Sequence, residues 1–205
     1  MPFFQKLLPQ KPSFKPATEG GHIKGQIKDF IWETLKVIVI SLAIIIPVRY
    51  FLIQPFYVKG ASMEPNFYDH EYLIIDEISY RLNEPERGDV IVFRYPNDPS
   101  QFFIKRIIAL PFETISLNNG QIKISNDKNP AGFILDENNY LPNTHTQGSI
   151  SLTLEANQYF IMGDNRSSSL DSRMFGPIER ADIIGRTWIR GWPFDRVTIF
   201  NQAAY

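Results

Sequence analysis

The chain contains no cysteine among its 205 residues. Disulfides, thiol nucleophiles and cysteine-ligated zinc are therefore excluded. Histidine is nearly as scarce, and His22, His70 and His145 all lack the neighbours that a Ser-His-Asp triad requires. The formal net charge is −1, so no overall basic field indicates a nucleic acid partner. A covalent nucleophile must come from Ser, Thr, Asp, Glu or Lys.

A long amphipathic helical pattern is absent after residue 54. The sequence instead shows short runs that alternate or are briefly apolar, separated by turn residues, which is typical of antiparallel strands. The sequence Asn118-Asn119-Gly120 between two such runs is a strong hairpin signal. Residues 54–205 are therefore predicted to form a mainly β domain, an antiparallel sheet or coiled barrel. Within it, residues 126–148 are polar and turn-rich and are predicted to be a long surface loop.

A single long apolar stretch precedes this domain. Counted from Leu35 to Ile53 it has 19 residues, roughly 28 Å of helix against about 30 Å of hydrocarbon core. Six lysines precede residue 37, and the positive-inside rule places that end in the cytoplasm. We predict a flexible basic cytoplasmic leader over 1–28, a transmembrane helix over 29–53 that anchors the chain in the lipid bilayer, and an extracytoplasmic domain over 54–205. A buried helix of a soluble core and a cleaved signal peptide are the alternatives.

The first candidate site segment is KGASMEPN, residues 59–66, directly after the apolar stretch. Gly60 allows the backbone to turn tightly and approach a ligand. Pro65 biases the residue before it toward an extended conformation. Ser62 is thereby expected to lie in a constrained turn, with its N–H facing a substrate carbonyl.

The second segment is FFIKRIIALP, residues 102–111. Side chains alternate between the two faces of a strand, so Phe103, Lys105 and Ile107 share one face and Arg106 points away. Burial among apolar groups disfavours the charged amine, and we expect the pKa of Lys105 to fall toward the range of a useful general base.

The third segment is GDNRSSSLDSRMFG, residues 163–176, which follows an apolar run. Its first three residues have turn chemistry. Asp171 and Arg173 are two residues apart and are expected to pair and hold the loop. The hydroxyl of Ser169 is a candidate for orienting the lysine amine.

The three segments, in this order behind an apolar helix, closely resemble the signal peptidase I family. SMEP at 62–65 matches the family's nucleophile box, IKR at 104–106 its lysine box, and GDNRSSSLDSR at 163–173 its third box almost letter for letter. The end of the chain, RTWIRGWPF, is also similar, and the resemblance covers roughly residues 30–200.

The resemblance implies a membrane-bound serine endopeptidase with a β-sheet domain resting on the membrane. Ser62 would attack, Lys105 would be the general base, Ser169 would position the lysine, and Asp171 with Arg173 would stabilise the site. The substrates would be exported preproteins with small residues at the −1 and −3 positions of the cleavage site, and no metal or cofactor is expected.

An extended substrate is expected to pair with strand edges at 56–58 and 103–104. Its small side chains would enter shallow apolar pockets for which five residues are candidates: Phe56, Val58, Met63, Phe103 and Ile104.

Two positions depart from the family pattern. Pro111-Phe112-Glu113 stands where members often have Pro-Gly-Asp, and because Phe does not readily take a positive φ, a different turn is predicted there. Gly60 stands where some members have a serine that contributes to the oxyanion hole, which leaves the second oxyanion donor unidentified.

Three alternatives remain open. An organelle-type inner-membrane peptidase would use the same pair of residues. A self-cleaving DNA-binding repressor uses a related Ser-Lys pair but needs a soluble helix-turn-helix where this chain has an apolar stretch. A membrane-tethered β module without activity is the third. Separately, Trp188, Trp192, Pro193 and Phe194 are expected to pack at strand ends or to form an apolar patch on the bilayer surface.

Overall fold

A computed structural model describes residues 19–51, 54–142 and 144–200 of the chain. Two compact units are present, Met1–Ile46 and Pro47–Tyr205. Residues 1–18, which hold most of the predicted leader, lie outside the described part.

The described part of the first unit belongs to one helix, α1 (Glu19–Phe51), whose last five residues are counted in the second unit. It begins ten residues before the predicted boundary at 29, because the last proline of the leader is Pro16, whereas Gly20, Gly21 and Gly25 only lower helix propensity. From Ile27 to Ile46 its side chains are exposed, including a long apolar series. Among the described residues, no helix is long and apolar enough to cross a membrane, so the predicted transmembrane span is not confirmed.

The second unit is mainly antiparallel β, as predicted. Its larger sheet contains eight strands, in the order β1-β2-β11-β3-β4-β9-β10, with β12 on β11. These strands are β1 (Gln54–Tyr57), β2 (Tyr72–Asp76), β3 (Val90–Tyr95), β4 (Asp98–Ala109), β9 (Gln158–Met162), β10 (Ile178–Glu179), β11 (Ile183–Trp192) and β12 (Thr198–Ile199). Two one-turn helices, α2 (Ser79–Leu82) and α3 (Ser172–Phe175), lie in its connections.

The smaller sheet has four strands in the order β7-β6-β5-β8. They are β5 (Thr114–Asn118), β6 (Gln121–Asn126), β7 (Asn129–Ile134) and β8 (Ile150–Thr153). Both sheets are open, so of the two predicted forms the structure has the sheet and not the coiled barrel.

Strand β7 corrects the prediction that 126–148 is one long surface loop. Asn-Pro-Ala-Gly reads as turn chemistry, yet a proline is tolerated in an edge strand, and β7 is at the edge of its sheet. Leu135 and Leu141 farther along are also buried, so much of this segment belongs to the packed unit.

The backbone dihedral angles of two turns test predictions that were made from the sequence. Asn119 and Gly120 both have positive φ, 48° and 81°, and join β5 to β6 as the predicted hairpin. Phe112, between β4 and β5, has φ 66°. The prediction that phenylalanine would force a different turn is therefore wrong, because the chain adopts the left-handed conformation there with an exposed aromatic residue.

Three hydrophobic clusters form the core of the β unit. One packs the face of the smaller sheet against β4 and β9, a second lies under β3, β4 and β9, and the third lies beneath the Ser62 turn. The buried members of the third are Val58, Met63, Phe67, Leu73, Ile75 and Val92.

Candidate active site

Ser62 lies in a turn between β1 and β2. Gly60 has φ 92°, a conformation that favours glycine. Its N–H donates to Asp69 Oδ1 at 3.0 Å, and that bond is the largest cause of the lowered pKa of the Asp69 carboxyl. Beyond Ser62 the backbone closes a helical turn, because the N–H groups of Asn66 and Phe67 both donate to the carbonyl of Met63. The expected constrained turn is present.

Met63 does not lie in a substrate pocket, contrary to its predicted place. It is 1% exposed and packs in the cluster beneath the turn. In a strand the residue after Ser62 would have pointed to the opposite face, but in this helical turn it points into the core.

Lys105 lies on β4, and its Nζ is 2.7 Å from Ser62 Oγ. Nζ also donates to the carbonyl oxygen of Ile104 at 2.8 Å and lies 5.6 Å from the centre of the Phe103 ring. The residue is 3% exposed. Strand alternation therefore gave the right environment: Ile107, two residues on, is fully buried, and Arg106 is turned to the other side.

Burial lowers the pKa of Lys105 from its ordinary value to about 8. The carboxylates of Asp171 and Asp164 oppose this shift, because negative charge favours the ammonium form. A substantial fraction of the amine is therefore neutral just above neutral pH, which a general base requires.

The third segment contains an ion pair between Asp171 and Arg173. The Arg173 guanidinium forms a forked ion pair with Asp171, with Nε–Oδ1 at 2.9 Å and Nη2–Oδ2 at 2.8 Å. Asp171 also accepts from the N–H of Gly163 at 3.0 Å. Burial raises the pKa of the Asp171 carboxyl, but the bonds from Arg173 and Gly163 outweigh it and hold the pKa below its usual value.

The same segment also contacts the Ser62 turn, through two residues for which no role was predicted, Gly163 and Asn165. The N–H of Asn165 donates to the carbonyl of Ser62 at 3.0 Å, and its Nδ2 donates to the carbonyl of Ala61 at 3.0 Å. A Cβ at Gly163 would lie 2.5 Å from the Ser62 carbonyl oxygen, so only glycine fits this close approach. In the sequence, turn chemistry and the resemblance of residues 163–173 to the family's third box were the signals for these residues.

Ser169 does not make its expected contact. Its Oγ is buried, and Lys105 Nζ bonds Ser62 and Ile104 instead. Ser169 packs against the backbone of Gly163, where a Cβ would meet its Oγ at 2.2 Å.

A buried ion pair joins the second and third segments. Arg106 donates to both oxygens of Asp164, from Nε at 2.9 Å and Nη2 at 2.7 Å. Asn66 Nδ2 donates to the same carboxylate at 2.8 Å and to the Tyr140 carbonyl at 3.1 Å. These bonds link the Ser62 turn, strand β4 and the third segment to one another.

A groove of about 410 Å³ opens in front of Ser62 and Lys105. Four of the five predicted pocket residues line it, namely Phe56, Val58, Phe103 and Ile104. Leu170, 45% exposed, lines it as well and was not predicted.

Two strand edges face this groove. Among the described strands β1 pairs only with β2, and residues 98–105 of β4 pair only with β3, because β9 joins β4 from Arg106 onward. Residues of both free edges line the groove. Main-chain groups are therefore available on either side of it.

A serine hydroxyl in contact with a buried, partly neutral lysine, in an open apolar groove of a β fold, fits the serine peptidases that use lysine as base. The chain matches the family model described as "Signal peptidase, peptidase S26" over residues 31–192. It belongs to that family and is a serine endopeptidase of it.

Two bacterial relatives support this assignment, and one solved structure is also similar in part. The chain is 35% identical to a probable signal peptidase I-2 from Synechocystis sp., over 84% of this chain and 78% of that protein. It is 33% identical to a signal peptidase I from Leptolyngbya laminosa, over 92% and 91% of the two chains. A crystal structure of a signal peptidase I from Enterococcus faecalis is 29% identical, with a TM-score of 0.42, over 51% of this chain and 97% of that one.

Proposed function

We propose that the chain cleaves signal peptides from exported preproteins after small residues, with Ser62 as nucleophile and Lys105 as general base. The observation that carries the proposal is the 2.7 Å contact between Lys105 Nζ and Ser62 Oγ at the floor of the groove. The names of the bacterial relatives favour this substrate class over the repressor alternative.

The reaction begins when neutral Lys105 accepts the proton of the Ser62 hydroxyl as Oγ attacks the scissile carbonyl carbon. The resulting ammonium then gives a proton to the leaving amine, and the acyl chain stays on Ser62 as an ester. Water, deprotonated by the same amine, hydrolyses the ester and restores the hydroxyl.

The developing oxyanion needs donors near Ser62. Its own N–H, which no acceptor in the described residues takes, is the first donor that we propose. The N–H of Gly60 is held by Asp69, so Gly60 serves the site by shaping the turn. We propose that Asp171 and Arg173 act as positioning residues that hold the third segment against this turn.

Substrate selection is proposed to follow from the groove. The peptide adds to the free edges of β1 and β4 as an extended strand. Phe56, Val58, Phe103 and Ile104 leave shallow apolar pockets for small side chains, and Leu170 narrows the groove on another side.

The test is cleavage of a model preprotein by the full chain and by Ser62→Ala and Lys105→Ala. Both variants should lose at least about a thousandfold in kcat, because each removes one member of a pair that acts as a unit. Lys123→Ala, which changes an exposed lysine in β6, is the matched control and should keep full activity. Full cleavage by either active-site variant would refute the pair.

We further propose that α1 attaches the chain to the cell membrane as a single-pass anchor, with its N-terminus in the cytoplasm and the β unit outside. The exposed apolar side chains from Phe30 to Ile46 and the lysines before them support this proposal. Alkaline carbonate extraction and protease protection of intact cells measure it. Release into the soluble fraction, or protection of the β unit from added protease, would contradict it.

A further inference from the structure

A second cavity, of about 400 Å³, lies in the β unit and shares no lining residue with the groove. We call it the arginine cavity, because its lining includes four arginines: Arg106, Arg186, Arg190 and Arg196. The proposed peptidase reaction uses none of these four as a reacting group.

The arginines outnumber the carboxylates that they contact. Arg190 Nε and Arg196 Nη1 both lie 2.8 Å from the same buried carboxylate, that of Glu71. Arg106 is matched by Asp164. Arg186 reaches Asp76 through Nε at 3.4 Å, and its terminal nitrogens form no hydrogen bond within the described part of the chain.

The carboxylate of Asp89 lines the cavity, and its negative charge offsets part of the positive charge of the arginines. The Asp89 carboxylate already accepts from Tyr80 Oη at 2.5 Å and from the N–H of Glu86 at 3.0 Å. Burial raises its pKa, which favours the neutral form. Arg186 acts against this shift, because its positive charge favours the ionised carboxylate. The excess of guanidinium groups in the cavity therefore rests on Arg190 and Arg196, which share the single carboxylate of Glu71.

Thr187 supplies a second, independent observation. Its side chain lines the cavity at 5% exposure, and its Oγ1 forms no hydrogen bond with any described residue. A buried hydroxyl without a partner destabilises the fold. It lies beside a register shift of β11 between Thr187 and Ile189, and such bulges re-aim side chains.

We propose that the arginine cavity binds a phosphate-type oxyanion, held by Arg186 and Arg196 and by a hydrogen bond from Thr187 Oγ1. Guanidinium groups match the geometry of such oxyanions, and a hydroxyl donor completes the set. The same β11 strand continues to the exposed Trp192. A phospholipid headgroup and free phosphate are the two sources of this chemistry.

The experiment measures binding to the full chain in a neutral detergent at fixed ionic strength, by calorimetry and by the ligand-induced rise in unfolding temperature. The probes are inorganic phosphate, dihexanoyl phosphatidylglycerol, and dihexanoylglycerol, which lacks the phosphate. The variants are Arg186→Gln and Thr187→Val, and the control is Arg94→Gln, an exposed arginine in β3.

Arg186→Gln should weaken binding about thirtyfold and Thr187→Val about fivefold, as expected for the loss of a charged and a neutral hydrogen bond. Arg94→Gln should bind like the unaltered chain. Without ligand, Thr187→Val should unfold at the same or a higher temperature, since it removes an unpaired buried hydroxyl. If Thr187→Val binds more weakly but is as stable as the unaltered chain, Thr187 contacts the ligand and does not merely support the fold.

Equal binding of phosphate and phosphatidylglycerol supports a free oxyanion, and tighter binding of the lipid supports a headgroup. The proposal is overturned if neither binds, if dihexanoylglycerol binds as tightly as the phospholipid, or if both variants bind unchanged.

Discussion

At the scale of single residues, the state of one amine sets the conditions of the proposed reaction. Lys105 is active only when neutral, and burial lowers its pKa to about 8. We expect kcat/KM for a peptide substrate to rise with pH through about 8 and then to level off, and a pH–rate profile measures this. In Asp171→Asn the carboxylate that most raises this pKa is gone, so the rise should move to lower pH.

Asp136→Asn, which changes an exposed carboxylate, is the control and should leave the profile in place. A profile of Asp171→Asn that moves to higher pH, or does not move, would contradict the electrostatic role of this residue.

Asn165 gives a second prediction at this scale. Its side chain and its N–H hold the two carbonyls at Ala61 and Ser62. Replacing it with leucine removes the side-chain bond and should lower kcat about tenfold or more with little change in KM, because a misplaced nucleophile costs rate more than binding. Steady-state kinetics measures both constants.

Ser168→Ala is the matched control, since Ser168 is exposed and its hydrogen bond to Asn165 is made by the backbone N–H, which alanine keeps. A rise in KM with an unchanged kcat in Asn165→Leu would show that this residue binds substrate and does not position Ser62.

Sequence reasoning was effective at this scale where a side chain's surroundings depend on strand alternation. The apolar environment of Lys105 follows from the residues two positions away on β4, and the structure confirms it. Met63 and Ser169 were misplaced because each lies in a turn, where the direction of a side chain depends on dihedral angles that composition does not reveal. The contacts of Asn165 join segments about a hundred residues apart, and no local pattern encodes them.

At the scale of elements, the turn between β4 and β5 stores backbone strain. Phe112 has φ 66° and is 69% exposed, so its side chain offers little packing in return. Phe112→Gly should raise the free energy of unfolding by up to about 1 kcal/mol, because glycine takes this conformation without the steric cost. Chemical denaturation measures the change.

Ile134→Gly is the control, an exposed apolar residue in β7 without a positive φ, and it should lose stability. If Phe112→Gly destabilises the chain as well, the phenylalanine ring makes a contribution that its exposure does not suggest.

Most elements of the β unit were predictable because apolar alternation and turn residues agree there. The strand β7 was missed because Pro130 and Gly132 are local breakers, and only its edge position makes them acceptable. The beginning of α1 was missed because the boundary was set where the apolar stretch begins, whereas a helix also forms over the more polar residues before it.

At the scale of the whole molecule, the β unit has its own core. All three hydrophobic clusters lie between Phe56 and Phe200. We expect residues 54–205 to unfold cooperatively, with the fluorescence of Trp188 and Trp192 and the far-ultraviolet circular dichroism changing together. Leu73→Ala, in the cluster beneath Ser62, should shift both transitions and cost about 2–5 kcal/mol.

Transitions that separate by more than their error would show that the sheets unfold independently. Tyr72→Ala, which changes an exposed neighbour on β2, is the control and should cost much less than Leu73→Ala.

The two free strand edges beside the groove bear on how many different substrates the enzyme is able to cleave. Backbone amides and carbonyls are common to every polypeptide, so recognition through them is indifferent to most of a chain's sequence. One enzyme is thereby able to serve many unrelated client proteins, provided that each presents an extended stretch with small residues where the pockets lie. A proline in the paired stretch lacks the N–H that this recognition uses, and we expect a substrate with such a residue to be cleaved more slowly.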